Sequence, residues 1–175
     1  MTTSTVLLDT NVFTAWLRPQ SPLVPLYGRH VIGRRITVAQ QTVAEVRYGA
    51  IAAGWGERRL EAVERLLRRS RVLPVDDQTT WAYARVRHEC RTLGHPLHQK
   101  QHLGDLWIAA TAIRWQVPLV AHDAVFLDCP DLHCSPNCHE ADPEVCGPIR
   151  EAAARPSQDQ DQEDGTQLHP SRSLV

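Results

Sequence analysis

Two short apolar runs, STVLLD at residues 4–9 and VPLVAHD at residues 117–123, each close on an aspartate, and helix-patterned sequence fills most of the chain between them. No other feature narrows the possible folds as far. A nearly unbroken apolar run of this length suits a strand buried on both faces, as in a parallel sheet, and parallel strands need helical crossovers. RRITVAQ (34–40), rich in β-branched residues, and SRVLPVD (70–76) read as two further strands.

The intervening segments read as helices. Asn11 to Leu17 follows the first strand, and LVPLYGRH (23–30) keeps a short helical pattern although Pro19, Pro22 and Pro25 break up the stretch. QTVAEVRYGAIAA (41–53) is bounded by Gly54 and Gly56. GERRLEAVERLLRR (56–69) places Leu60, Val63, Leu66 and Leu67 on one face and a basic surface outside. Residues 76–94 begin with a capping Asp and end on Gly94, suited to the position just past a helix. GHPLHQKQH (94–102) is polar and loop-like, whereas GDLWIAATAIRWQ (104–116) is strongly helical. This order predicts an α/β fold, an α/β/α sandwich around a mostly parallel sheet.

Residues 1–133 are expected to form that domain. Residues 134–150 read as an extension rich in Cys and Pro, and residues 151–175 lack the apolar side chains a core needs, which predicts a disordered acidic and polar tail. No apolar stretch is long enough to cross a bilayer, and the start MTTSTVLLDTN has no basic segment leading into an apolar leader, so the expected location is the cytoplasm. Five cysteines, an odd number, then point to reduced thiols rather than a disulfide framework. The net charge of −1 is unevenly spread: residues 134–175 carry −5, which leaves +4 on the rest. A mildly basic body permits a nucleic-acid partner without demanding one.

Ligands of parallel α/β sheets collect beyond the carboxyl ends of the strands. Asp9 and Asp123 sit there on two strands, Glu45 lies in the helix after another, and Asp105 opens a helix. Each acid has an ordinary explanation: a helix cap for Asp9, solvent exposure for Glu45, the helix dipole for Asp105 and a turn for Asp123. Together they imply more. Four carboxylates on one rim repel one another unless a cation joins them, and oxygen ligands select Mg²⁺ or Mn²⁺ over zinc.

LLDTNVFTAWL (7–17), VAEVRYGA (43–50), GDLWIAATAI (104–113) and VPLVAHDAVFLDCPDL (117–132) resemble, in order and spacing, the motifs of the PIN-domain family, and within it the VapC-type ribonuclease toxins of type II toxin–antitoxin systems. The resemblance covers residues 5–133. It implies that Asp9, Glu45, Asp105 and Asp123 bind Mg²⁺ or Mn²⁺ and cleave RNA, with Thr10 and Asn11 supporting Asp9. It also implies an antitoxin partner and a homodimer or toxin–antitoxin hetero-oligomer. Ala121 departs from the family pattern, which often has Thr or Ser there, and this leaves a second metal site short of a hydroxyl. His122, beside it, is a candidate for substrate contact. Two alternatives stand beside the toxin: a PIN-fold module that binds RNA or protein without cutting, and an RNA-maturation nuclease with no antitoxin.

Arg58, Arg59, Arg65, Arg68 and Arg69 on the amphipathic helix are candidates for gripping RNA phosphates, against the alternative of a solvated charged face. His95, His98 and His102 are expected to belong to a solvated or substrate-contacting loop rather than a metal site. Cys134, Cys138 and Cys146, with His133 or His139, lack the paired spacing of zinc knuckles. Trp81, Trp107 and Trp115 are expected in the core rather than as stacking platforms for bases.

Overall fold

A computed structural model of the chain describes residues 4–18 and 20–133. The expectations for residues 134–150 and 151–175 therefore lie outside the described residues, as do the three extension cysteines and His139. The chain order is β1 (Thr5–Leu8), α1 (Thr10–Ala15), α2 (Leu23–Val31), β2 (Arg35–Ala39), α3 (Gln40–Ala52), α4 (Glu57–Arg68), β3 (Arg71–Leu73), α5 (Asp77–Leu93), α6 (Leu103–Trp115) and β4 (Leu119–Val120). Short 3-10 turns occupy Pro96–His98, Lys100–His102 and Ala124–Phe126. Among the described residues, no helix is long and apolar enough to cross a membrane.

The four strands lie in the order β3-β2-β1-β4, all parallel, with Leu7 of β1 opposite Thr37 of β2 and Leu119 of β4. Alternation along β1 divides the core between the sheet's two faces. Val6 and Leu8 pack with Val12, Phe13, Tyr27, Val46 and Val63 of α1 to α4. Leu7 packs with Val86, Cys90, Leu106 and Ile108 of α5 and α6. The result is an α/β/α sandwich, the architecture the sequence predicts. Thr37 is fully buried in the sheet, and its hydroxyl donates to the Val6 carbonyl at 2.8 Å, which removes the cost of an unpaired polar group.

Helix ends follow their capping chemistry. Asp76 accepts from the Thr79 amide and Thr79 reciprocates, a capping box at the start of α5, while Gly94 ends that helix at φ 70°, a conformation that strains any residue with a Cβ. The Asp76 carboxylate also holds Arg114 of α6 through two nitrogens, at 3.1 and 2.7 Å, and so staples the start of α5 to α6.

Two local expectations change. The segment 94–102 is not plain loop: its two 3-10 turns bury Leu97 completely, and His95 bridges from the Leu97 amide to the Leu127 carbonyl. Trp81 is not in the core. It is 63% exposed, because the buried stripe of α5 runs through Thr79, Ala82, Val86 and Cys90 and position 81 falls beside it. Trp107 and Trp115 are partly buried; Trp107 stacks on Tyr83 at 4.2 Å and the Trp115 indole donates to the Pro74 carbonyl.

Candidate active site

The chain fills β1, β2 and β3 in one direction across the sheet and then places β4 on the other side of β1. Parallel α/β sheets bind ligands at such a reversal, beyond the carboxyl ends of the strands that flank it, here β1 and β4. Asp9 follows β1 directly, and Asp123 follows β4 after Ala121 and His122.

Asp9 is 2% exposed. One carboxylate oxygen accepts from the Val12 amide at 2.7 Å and caps α1; the other accepts from the His122 amide at 3.2 Å. Helix cap and site residue are therefore the same side chain, and the two bonds leave about half of its lone-pair positions open. Burial pushes its pKa up to about 7, opposed by the two amides and reinforced by the charges of Asp123 and Asp105.

Asp105 stands in the first turn of α6 and faces the His102 ring, Nδ1 to Oδ2, at 3.1 Å. Burial raises its pKa, the hydrogen bond to His102 opposes this, and the charges of Asp123 and Glu45 raise it further. Glu45 projects from α3. One of its oxygens accepts from the Thr10 hydroxyl and the other from the Gln41 amide at 2.9 Å. It lies against the start of α6 so closely that a Cβ added at Gly104 would stand 2.6 Å from Glu45 Oε1. Asp123 accepts from the Val125 amide at 2.9 Å.

Asp9, Asp105 and Asp123 act on one another electrostatically, and Glu45 joins them through Asp105. Among the described residues no Arg or Lys forms an ion pair with any of the four, and His102 is the only basic partner. No three His, Cys, Asp or Glu side chains among the described residues already converge as a ligand cluster. A set of oxygen donors this rich in uncompensated negative charge, with no thiol, fits a hard divalent cation.

Thr10 supports Glu45, and more distantly Thr42 at 3.4 Å, rather than Asp9; Asn11 is exposed and makes no side-chain bond to Asp9. Main-chain amides orient Asp9 instead. Three supporting side chains escaped the sequence reading. Gln41 and His102 lie four and three residues before the acids they hold, a spacing that carries a signal once the helix is assigned. Tyr27, whose hydroxyl meets His122 Nδ1 at 3.0 Å, lies too far along the chain to carry one. Ala121 is buried among Leu7, Leu119 and Phe126.

His95 and His98 bond to main-chain carbonyls, so they fix the 94–102 segment and do not join His102. Arg58, Arg59, Arg65, Arg68 and Arg69 are exposed on and just after α4, which packs on α3 and on β3, the edge strand farthest from β4. Arg65 pairs with Glu61 at 3.4 Å and Arg59 lies over the Trp55 ring, and none of the five bonds to the four acids.

A PIN-domain family profile matches residues 6–132. The chain belongs to the PIN-domain family. As a PIN domain it is 30% identical over 122 residues to Ribonuclease VapC5 of Mycobacterium tuberculosis, covering 69% of this chain and 84% of that protein. It is 31% identical over 125 residues to Toxin FitB of Neisseria gonorrhoeae, covering 67% and 87%. Among solved structures, this PIN fold resembles a member of the VapBC family of toxin–antitoxin systems, VapBC-5 of M. tuberculosis, with a TM-score of 0.53 and 29% identity over 70% of this chain and 88% of that one.

Proposed function

We infer that this PIN domain is a divalent-metal-dependent endoribonuclease and the toxin of a type II toxin–antitoxin pair. One observation carries the reading: four carboxylates from β1, α3, α6 and the end of β4 load the switch point of the sheet with negative charge that no Arg or Lys among the described residues balances. The names of the similar proteins, a ribonuclease and a toxin, supply the substrate class and the setting.

Asp9 and Asp105 would hold the principal Mg²⁺ or Mn²⁺, with Glu45 and Asp123 completing its surroundings or holding another ion. An ion held there would acidify a bound water for attack at neutral pH and offset charge on the phosphate. The side chains orient and restrain: Thr10 and Gln41 fix both oxygens of Glu45, His102 fixes one oxygen of Asp105, and the Val12 and His122 amides fix Asp9. Hydrolysis of the phosphodiester leaves a 5′-phosphate and a 3′-hydroxyl, and no protein nucleophile is required. A cognate antitoxin and assembly as a homodimer or hetero-oligomer belong to the same reading.

Incubating the purified chain with RNA, with Mn²⁺ or with a chelator, tests it. Cleavage that needs the metal and yields 5′-phosphate ends is the expected result. RNA binding without cleavage under any metal would make the protein a binding module instead. Gly104→Ala offers a milder check. The new methyl displaces Glu45, so cleavage should fall about tenfold, while the good helix propensity of Ala keeps the melting temperature close to the parent's. Unchanged turnover would remove Glu45 from the working site.

A further inference from the structure

At the opposite end of the sheet, a groove of about 480 Å³ is lined by Arg34, Arg35, Ile36, Arg69, Ser70 and Arg71. We propose that this arginine groove is the seat of the chain's own acidic segment, residues 159–164.

Four arginines line this groove because of topology. Arg34 and Arg35 lead into β2, Arg69 and Arg71 flank the turn from α4 into β3, and the parallel pairing of β2 with β3 sets the two turns side by side. The lining contains no carboxylate, and among the described residues none of the four arginines is in an ion pair. Among the described residues three other arginines are in ion pairs, Arg47 with Glu64, Arg65 with Glu61 and Arg114 with Asp76; what sets the groove apart is four arginines lining one surface with no carboxylate among them. Four like charges lining one groove in this way suit a polyanion.

Where the chain leaves the domain decides which one. The His133 carbonyl accepts from the Leu119 amide at 3.0 Å, so the last described residue lies beside the first residue of β4, at the same end of the sheet as Arg35 and Arg71. β4 is three places from β3 in the sheet, roughly 14 Å at the usual strand spacing. Residues 159–164 read DQDQED, four acids with no intervening base, and 25 residues (134–158) separate them from His133. At up to about 3.3 Å per residue, a stretch of that length has ample reach to cover the gap. RNA phosphates would satisfy the same chemistry. They are the poorer fit, because the groove lies at the amino end of the strands and the carboxylates at the carboxyl end.

Cross-linking the full chain tests this. Arg71→Lys keeps the charge and offers an amine to a zero-length carbodiimide; mixing unlabelled with ¹⁵N-labelled chains separates links within a chain from links between chains. The expected product joins position 71 to Asp159, Asp161, Glu163 or Asp164 of the same chain, and it disappears when all four become amides. No such product, or one found only between chains, overturns the proposal. A single-stranded DNA of about 12 nucleotides supplies the second reading. Amidating the four acids should tighten its binding by about fivefold, and Arg35→Gln with Arg71→Gln should erase that gain. If amidation changes nothing while the two Arg substitutions abolish binding, the groove serves nucleic acid and the tail assignment fails.

Discussion

Asp9→Asn should lower RNA cleavage by about 100-fold or more, equivalent to about 3 kcal/mol of lost transition-state stabilisation, and leave the fold intact. The substitution keeps volume and shape, and the Asn carbonyl can still accept from the Val12 amide at the start of α1. Its NH₂ then faces the His122 amide, donor against donor, so the link from β1 to the end of β4 weakens. More important, the most buried of the four acids loses its charge and with it the strongest claim on a divalent ion. Circular dichroism and a melting curve separate lost chemistry from lost structure. Near-parental cleavage by a folded Asp9→Asn protein would contradict the assignment.

The second large effect concerns stability. With divalent ions chelated, the protein should become less stable as pH rises from 4 to 7. Asp9 has a folded pKa of about 7 against an ordinary value of 3.8, so between those values the native state binds a proton that the unfolded chain has given up. Stability then falls with rising pH, by up to about 4 kcal/mol from this residue. Burial shifts Asp105 in the same direction. Asp76 and Glu64 pull the other way, but their pKa values are held down by Arg114 and Arg47, so their windows close below about pH 4.5. His30, with its lowered pKa, adds stability as pH climbs towards 6.5 and opposes part of the trend there. The difference between parent and Asp9→Asn melting curves isolates the buried acid: a slope in the parent, a much flatter line in the variant. Mn²⁺ added at pH 7 should recover the lost stability. Equal pH profiles for the two proteins would mean that Asp9 carries no such burden.

The frame was legible because burial on both faces leaves a mark on each strand. Val6, Leu7 and Leu8 are apolar without a break, and helix ends such as Asp76 and Gly94 follow local rules. The acids could be read as a set because Asp9 and Asp123 follow strands, Asp105 opens a helix and Glu45 lies in the helix after a strand, placements that need no knowledge of distant contacts. What stayed hidden depends on register between segments far apart in sequence. Thr10 sits next to Asp9 in the chain but bonds to Glu45, 35 residues away, because α1 and α3 pack together on one face of the sheet. Tyr27 reaches His122 across 95 residues. Trp81 misled for a different reason: its bulk suggested burial, but a shift of one residue along a helix turns a side chain by about 100°, enough to take it off the stripe through Ala82 and Val86.

On the proposed function these carboxylates receive a divalent cation. Calorimetric titration of the chelator-treated protein with Mn²⁺ at pH 7, in two buffers of different ionisation enthalpy, measures it most directly. The parent should show saturable binding with release of a proton, because Asp9 is close to half protonated at that pH. Asp9→Asn should bind at least about tenfold more weakly and release less. No saturable binding by the parent, or equal affinity and proton release in the variant, would mean that Asp9 holds no divalent ion.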